Sequence, residues 1–121
     1  VGFFAYNVLA GGMLTGKYLD EPAAVDQNNP AKALALVTKP RGRMDDINWG
    51  PTLYRYRSEA ANDATRRYSE LAKGAGLSLT ELALRWCRQR SGLSSALLGC
   101  SSMAQLEEDL TAFRSEKALP E

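Results

Sequence analysis

The feature that most constrains this chain is its opening. An apolar run, Val1–Leu9, passes without a break into Ala10-Gly11-Gly12-Met13-Leu14-Thr15-Gly16-Lys17-Tyr18. An aromatic and aliphatic run of that kind predicts a buried strand. Glycines just past a strand let the backbone come close to a ligand, and a lysine within reach makes an anion the first choice. A phosphate-bearing ligand is therefore expected. The chain opens inside this strand, with no Met and no lead-in, and reads as the tail of a larger protein.

The order of the remaining segments sets the fold class. Residues 19–45 read as a long variable loop, where Pro22, Asn28, Asn29, Pro30 and Pro40 interrupt regular structure and only Ala31–Val37 suits a short helix. A loop of that length is often a lid or a mobile flap. Arg41, Arg43, Trp49, Tyr54, Arg55, Tyr56 and Arg57 then make a segment dense in arginine and aromatics. Ser58 is placed to cap a helix through Lys73, with Ala61, Ala64, Tyr68, Leu71 and Ala72 at helical spacing and Gly74 and Gly76 as its stop. Ser78-Leu79-Thr80-Glu81 is a capping-box pattern that opens a helix to about Arg90, with Leu82, Ala83, Trp86 and Cys87 as its buried face. Ser95–Cys100 reads as a second short strand. Ser102-Met103-Ala104-Gln105 is a second capping-box pattern, and its helix is expected to bury Met103, Leu106, Leu110 and Phe113. The tail after Arg114 is expected to fray.

Strand, long loop, two helices, strand, helix is βα-type alternation, and it predicts a parallel sheet with helices over it. Two strands cannot close a sheet. Either partner strands lie outside this chain or the fold is an unusual small one.

Composition narrows the function. At 121 residues the chain suits one domain, and a net charge of +1 gives no electrostatic footprint for nucleic acid or a membrane surface. No apolar run is long enough to span a bilayer. Cys87 and Cys100 lie far apart inside apolar patterns, so buried free thiols in a reducing compartment, cytoplasmic or an organellar matrix or stroma, are expected over a disulfide. The chain has no histidine, which excludes every Ser-His, Cys-His or His-metal site built from it alone.

Each motif has a chemical and a plain reading. Gly11 to Lys17 fits G-x-x-x-x-G-K, but Tyr18 follows where a nucleotide-triphosphate loop needs Ser or Thr, and no helix pattern begins at Lys17. The plain reading is a tight turn with a solvated lysine. Gly99-Cys100-Ser101-Ser102 leads from a strand into a helix start that favours an anion, or supplies two serines competing for one N-cap. Gln105 either closes the capping box or faces a ligand. Glu107, Glu108 and Asp109 read as a solvated charge run. Arg41 and Arg43, around Gly42, either clamp a phosphate or stand as surface arginines. Tyr6 is core, or a flat ring at the strand end for a ligand to stack on.

Taken together, these pieces resemble the aldo-keto reductases. Tyr6 to Tyr18 is similar to the family's Y-[NS]-P-L-A-x-G-x-L-[ST]-G-K-Y, and Gly99 to Asp109 to its G-x-S-[SN]-x-x-Q-L-x-E-N. Leu82-Ala83-Leu84-Arg85-Trp86 matches the helix between them, and the spacing resembles the branch of aflatoxin-aldehyde reductases and potassium-channel β subunits. The resemblance implies the C-terminal part of a (β/α)8 TIM barrel over residues 1–121, with Val1–Leu9 and Ser95–Cys100 as its last two strands. It implies a parent protein that uses NADP(H) to reduce a small carbonyl substrate, an aldehyde or ketone. It places Tyr6 against the nicotinamide, Asn7, Leu9, Gly11 and Lys17 at the pyrophosphate, Arg43 at the 2′-phosphate, and Gly99, Ser101, Gln105, Glu108 and Asp109 around the adenosine half. Val8 replaces the family's usual Pro, and Asp109 its usual Asn. The family's catalytic Asp, Tyr, Lys and His belong to earlier strands, so no residue here takes a catalytic role and this chain alone is expected to be inactive. The competing reading is a non-catalytic fragment serving as a structural or assembly module in a larger complex. Either way, the rest of the barrel or a protein partner must cover the exposed strands.

Overall fold

The computed structural model describes residues 1–19, 41–46 and 48–119. The expected helix at Ala31–Val37, and most of the long variable loop, lie outside the described residues. Regular structure runs in the order β1 (Phe3–Ala5), a 3-10 turn at Ala10–Thr15, a second at Gly50–Tyr56, α1 (Glu59–Gly74), α2 (Leu79–Arg88), β2 (Leu93–Ala96) and α3 (Met103–Arg114).

β1 and β2 pair side by side and parallel, with Phe3 opposite Leu93, Phe4 opposite Ser95 and Ala5 opposite Ala96. The expected parallel pairing is present, but both strands are shorter than their apolar runs. β1 stops where Asn7 takes a positive φ and turns the chain out of the ladder. β2 starts two residues before the expected Ser95 and ends at Ala96, because Leu97 N–H donating to Ala5 O at 2.8 Å is the last bond between the two segments.

Serine starts all three helices among the described residues. Ser58 Oγ accepts from Ala61 N–H, Ser78 Oγ from Glu81 N–H and Ser102 Oγ from Gln105 N–H. Neither capping box closes in full. Glu81 pairs with Arg85 on its own helix instead of reaching back, and Gln105 reaches Ser101, one residue beyond the cap. α1 ends as its glycines predict: Gly76 sits at φ +69°, Leu77 N–H donates to Ala72 O at 2.9 Å and Gly76 N–H to Lys73 O at 3.1 Å. That pair of bonds is a Schellman stop.

α2 is the central element, packed against α1, α3, β2 and the first 3-10 turn. Its core residue is Leu84, which is fully buried, flanked by Leu79 and Cys87. The buried face of α2 is thus rotated from the expected one: Cys87 is buried, Leu82 and Ala83 are half-buried, and Trp86 is exposed with Arg90 stacked on its ring. On α1 the buried positions are Thr65 and Ala72, and Tyr68 and Leu71 are exposed. On α3 they are Asp109 and Ala112, while Met103 and Leu110 are exposed. The reason is common to all three. Helical spacing identifies a stripe, but the described elements cover only part of it. A second small core, Met13, Tyr18 and Met44, ties the loop after β1 to the arginine-rich segment. Phe3, Phe4 and Leu97, in or beside the sheet, are each more than half exposed.

Candidate binding cleft

The loop after β1 is built on left-handed backbone. Asn7 and Ala10 hold φ of 56° and 50°, and Gly11 and Gly12 follow at 67° and 93°. Glycine adopts this region freely and Asn tolerates it, whereas Ala10 is strained there. Asn7 explains how the loop stays in place. Its Oδ1 accepts from Gly11 N–H at 2.7 Å, and its Nδ2 donates to the Tyr56 hydroxyl at 2.9 Å. Ala10 N–H donates to Asn7 O and Gly12 N–H to Leu9 O. The loop's own acceptors therefore use several of its amides, and attraction for an anion falls to the side chains.

Lys17 is held between two glycines. A Cβ on Gly12 would lie 2.8 Å from Lys17 Cε, and one on Gly42 would lie 2.5 Å from Lys17 Nζ and from the Tyr18 hydroxyl. No other residue type fits at either place without moving the ammonium. Burial lowers the Lys17 pKa, Asp45 opposes that, and the charge of Arg43 adds to it. Tyr18 is buried beneath the pair, with Lys17 Nζ 5.3 Å and Arg41 Cζ 5.0 Å from its ring centre. Its hydroxyl accepts from Met44 N–H at 3.2 Å.

Asp45 anchors this group. Only 4% exposed, it takes Arg41 Nε at 2.8 Å and Arg41 Nη2 at 3.2 Å, with Arg57 Nη2 at 3.9 Å. Burial alone would raise its pKa; the Arg41 hydrogen bonds and the charges of Arg41 and Arg57 outweigh that and hold it below the ordinary value.

The segment after β2 forms another part of the wall. Gln105 Oε1 accepts from both Ser101 N–H at 2.8 Å and Ser101 Oγ at 3.1 Å. Ser102, not Ser101, is the cap, which settles the competition between them. Glu108 is exposed and accepts from Ser78 Oγ at 3.2 Å. Asp109 is not part of a solvated run: it is 4% exposed and accepts from Cys100 Sγ at 3.0 Å. That bond, with burial and the Asp109 charge behind it, pushes the Cys100 thiol up. Both cysteines are free, Cys87 buried and Cys100 half-buried rather than fully so.

These segments enclose one cleft of about 620 Å³. Tyr6, Asn7, Leu9, Gly11, Lys17, Arg43, Gly99, Ser101, Gln105, Glu108 and Asp109 all line it. Tyr6 is 76% exposed, so its reading as a core residue fails. Trp49, Thr52, Leu53, Arg55 and Thr80 also line the cleft, and sequence reasoning did not place them there. The arginine and aromatic density of the 41–57 segment was the available signal for Trp49 and Arg55. Nothing local marked Leu53 or Thr80.

Residues 1–120 match the Aldo/keto reductase family. The chain is similar to Aflatoxin B1 aldehyde reductase member 2 of Homo sapiens, at 38% identity over 121 residues, 91% of this chain and 30% of that protein. It is similar to L-glyceraldehyde 3-phosphate reductase of Escherichia coli (strain K12), at 30% identity over 115 residues, 95% of this chain and 29% of that protein. The chain thus spans about 30% of the length of these curated relatives. With the family match running from residue 1 to residue 120, this chain belongs to the aldo/keto reductase family.

Proposed function

We propose that this chain is the cofactor-binding side of an NADPH-dependent oxidoreductase that reduces aldehydes or ketones. In this reading it forms the C-terminal part of a (β/α)8 barrel, with β1 and β2 as the last two strands. One observation carries the reading: a single cleft gathers Lys17, Arg43, the turn after β1 and the Gly99–Asp109 wall. Its volume lies within the usual range for a small-molecule site. The family generally uses NAD(P)H. The donor set suits such a group: cationic side chains stand near the turn after β1, and carboxylate and amide acceptors stand on the Gln105–Asp109 side.

The roles divide along the cleft. The exposed ring of Tyr6 offers a face to the nicotinamide. Lys17, with Asn7, Leu9 and Gly11 shaping the turn, sits at the pyrophosphate. Arg43 takes the 2′-phosphate. Gly99, Ser101, Gln105, Glu108 and Asp109 enclose the adenosine half. The bound dinucleotide would supply the hydride for the carbonyl carbon. Proton donation falls to a residue outside this chain. Two free thiols agree with a reducing compartment, the cytoplasm or an organellar matrix or stroma.

A second reading, a non-catalytic module within a larger assembly, draws on the exposed apolar side chains of Phe3, Phe4 and Leu97. Those side chains need cover from the rest of a barrel or from a partner, and the mass of the intact protein in its source cells tells which.

The test is calorimetric titration of the longest form of the protein with NADPH and with NADH. NADPH is expected to bind more tightly. Arg43→Ala is expected to weaken NADPH about tenfold or more while moving NADH by less than about twofold. Equal losses for the two dinucleotides would refute the place given to Arg43.

A further inference from the structure

Three guanidinium groups line the cleft, each over an aromatic ring, and they differ in their other partners. Asp45 grips Arg41 by two hydrogen bonds, at 2.8 and 3.2 Å, so a buried carboxylate neutralises that charge and occupies that edge. Arg55 donates to Thr52 O at 3.2 Å and lies over the Tyr56 ring. Arg43 is different. Its guanidinium carbon lies 5.5 Å from the centre of the Trp49 ring, and among the described residues it has no carboxylate partner.

Trp49 is 57% exposed, yet its backbone is fixed on both sides. Trp49 N–H donates to Asp46 Oδ1 at 3.2 Å, and its carbonyl accepts from Thr52 N–H at 3.0 Å and Thr52 Oγ1 at 2.7 Å. A large apolar ring left in water on a pinned backbone does little for folding. Its ring does face a guanidinium, that of Arg43. Arg43 also reaches well beyond its own loop: a Cβ on Gly99 would lie 3.9 Å from Arg43 Nη2. The charge thus stands between the arginine-rich segment and the segment after β2.

We propose that Trp49 is a specificity-determining positioning residue, whose indole holds the Arg43 guanidinium in the cleft to receive a phosphate monoester on the ligand's ribose. This rests on the reading of the cleft as a nicotinamide dinucleotide site. The physical reason lies in how guanidinium groups are restrained. A carboxylate partner fixes the group but consumes its in-plane donors and cancels its charge, as Asp45 does at Arg41. An aromatic face fixes it from above or below. The charge and the in-plane N–H fork then remain for a phosphate to take bidentately. A dinucleotide without that phosphate presents nothing for the fork to bind, so the indole matters only when the phosphate is present.

The test is a double-mutant cycle in the longest form of the protein that its gene encodes. Wild type, Trp49→Phe, Trp49→Ala, Arg43→Ala and the Trp49→Ala/Arg43→Ala double variant are titrated calorimetrically with NADPH, NADH, 2′,5′-ADP and 5′-AMP. Far-UV circular dichroism checks each fold. Trp49→Ala is expected to weaken NADPH and 2′,5′-ADP about 3- to 10-fold and to change NADH and 5′-AMP by less than about twofold. Trp49→Phe, which keeps a ring, should recover most of that loss. The double variant should bind 2′,5′-ADP no worse than Arg43→Ala alone, because Trp49 acts through Arg43. Equal losses for the phosphorylated and unphosphorylated ligands would overturn the proposal, since the indole would then touch a part common to both. Additive losses in the double variant would overturn it as well. If wild type discriminates between NADPH and NADH and Trp49→Ala leaves that ratio unchanged, this inference fails and the dinucleotide reading stands. If wild type binds no dinucleotide, both fail together.

Discussion

Asp109 shows how much a residue's surroundings decide. In sequence it closes a run of three acids that reads as a solvated face. In the fold it is nearly buried, and its carboxylate accepts the Cys100 thiol. Glu107 and Glu108 beside it remain exposed, because burial on a helix follows angle rather than neighbourhood. An asparagine at 109 would keep an acceptor for the thiol through its own Oδ1, add an N–H donor toward the cleft and remove a negative charge near the ligand phosphates. Asp109→Asn is therefore expected to tighten NADPH about 3- to 10-fold in a fluorescence titration of the longest form. Weaker binding would mean that the ligand itself donates to this carboxylate. Asn7 makes a similar point. Its motif position was legible, but its carboxamide serves the loop and Tyr56, so it shapes the turn rather than offering free donors.

At the scale of elements, local chemistry was the most legible. Each helix start is a serine whose oxygen accepts a backbone N–H three residues on, a bond fixed by short-range geometry and independent of the rest of the molecule. The stop of α1 is equally local, and it gives paired predictions of opposite sign. Gly76 needs its positive φ, and a Cβ there would meet nothing within 4 Å, so Gly76→Ala tests backbone strain alone. It should cost about 1 kcal/mol in urea unfolding. Gly74 ends the helix with no positive φ and the same open space, so Gly74→Ala should stabilise by about 0.5 kcal/mol. A loss at Gly74 as large as that at Gly76 would show that the stop depends on something other than φ. The faces of the helices were less legible. Trp86 and Tyr68 fit an apolar stripe, yet both lie in solvent, because only part of each stripe meets another described element.

For the whole molecule, the sheet is the governing fact. Two strands of three and four residues make a ladder too small to be stable unaided. Phe3, Phe4, Trp86, Leu97 and Met103 are each more than half exposed. In the proposed barrel the remaining strands and helices would cover these side chains. Residues 1–121 expressed alone are expected to self-associate or aggregate in light scattering and to show no NADPH oxidation with aldehyde substrates. The first outcome follows from the uncovered faces. The second follows from the proposed role: a cofactor side without a positioned proton donor lacks most of the chemistry. A compact monomer would show that the chain covers its own strands, and measurable turnover would show that a residue here supplies the proton.

The sequence by itself determined the features that depend on neighbours in the chain. These are the three described helices and their serine caps, the α1 stop and the glycine-rich turn. Each rests on backbone geometry or side-chain spacing within a few residues. Only the tertiary structure decided where the strands end, which face of each helix is buried, and that Asp45 grips Arg41 while Trp49 supports Arg43. It also brought Leu53 and Thr80 to the cleft. These outcomes depend on which segments meet in space, and contacts between distant segments leave no pattern in the spacing of residues along the chain.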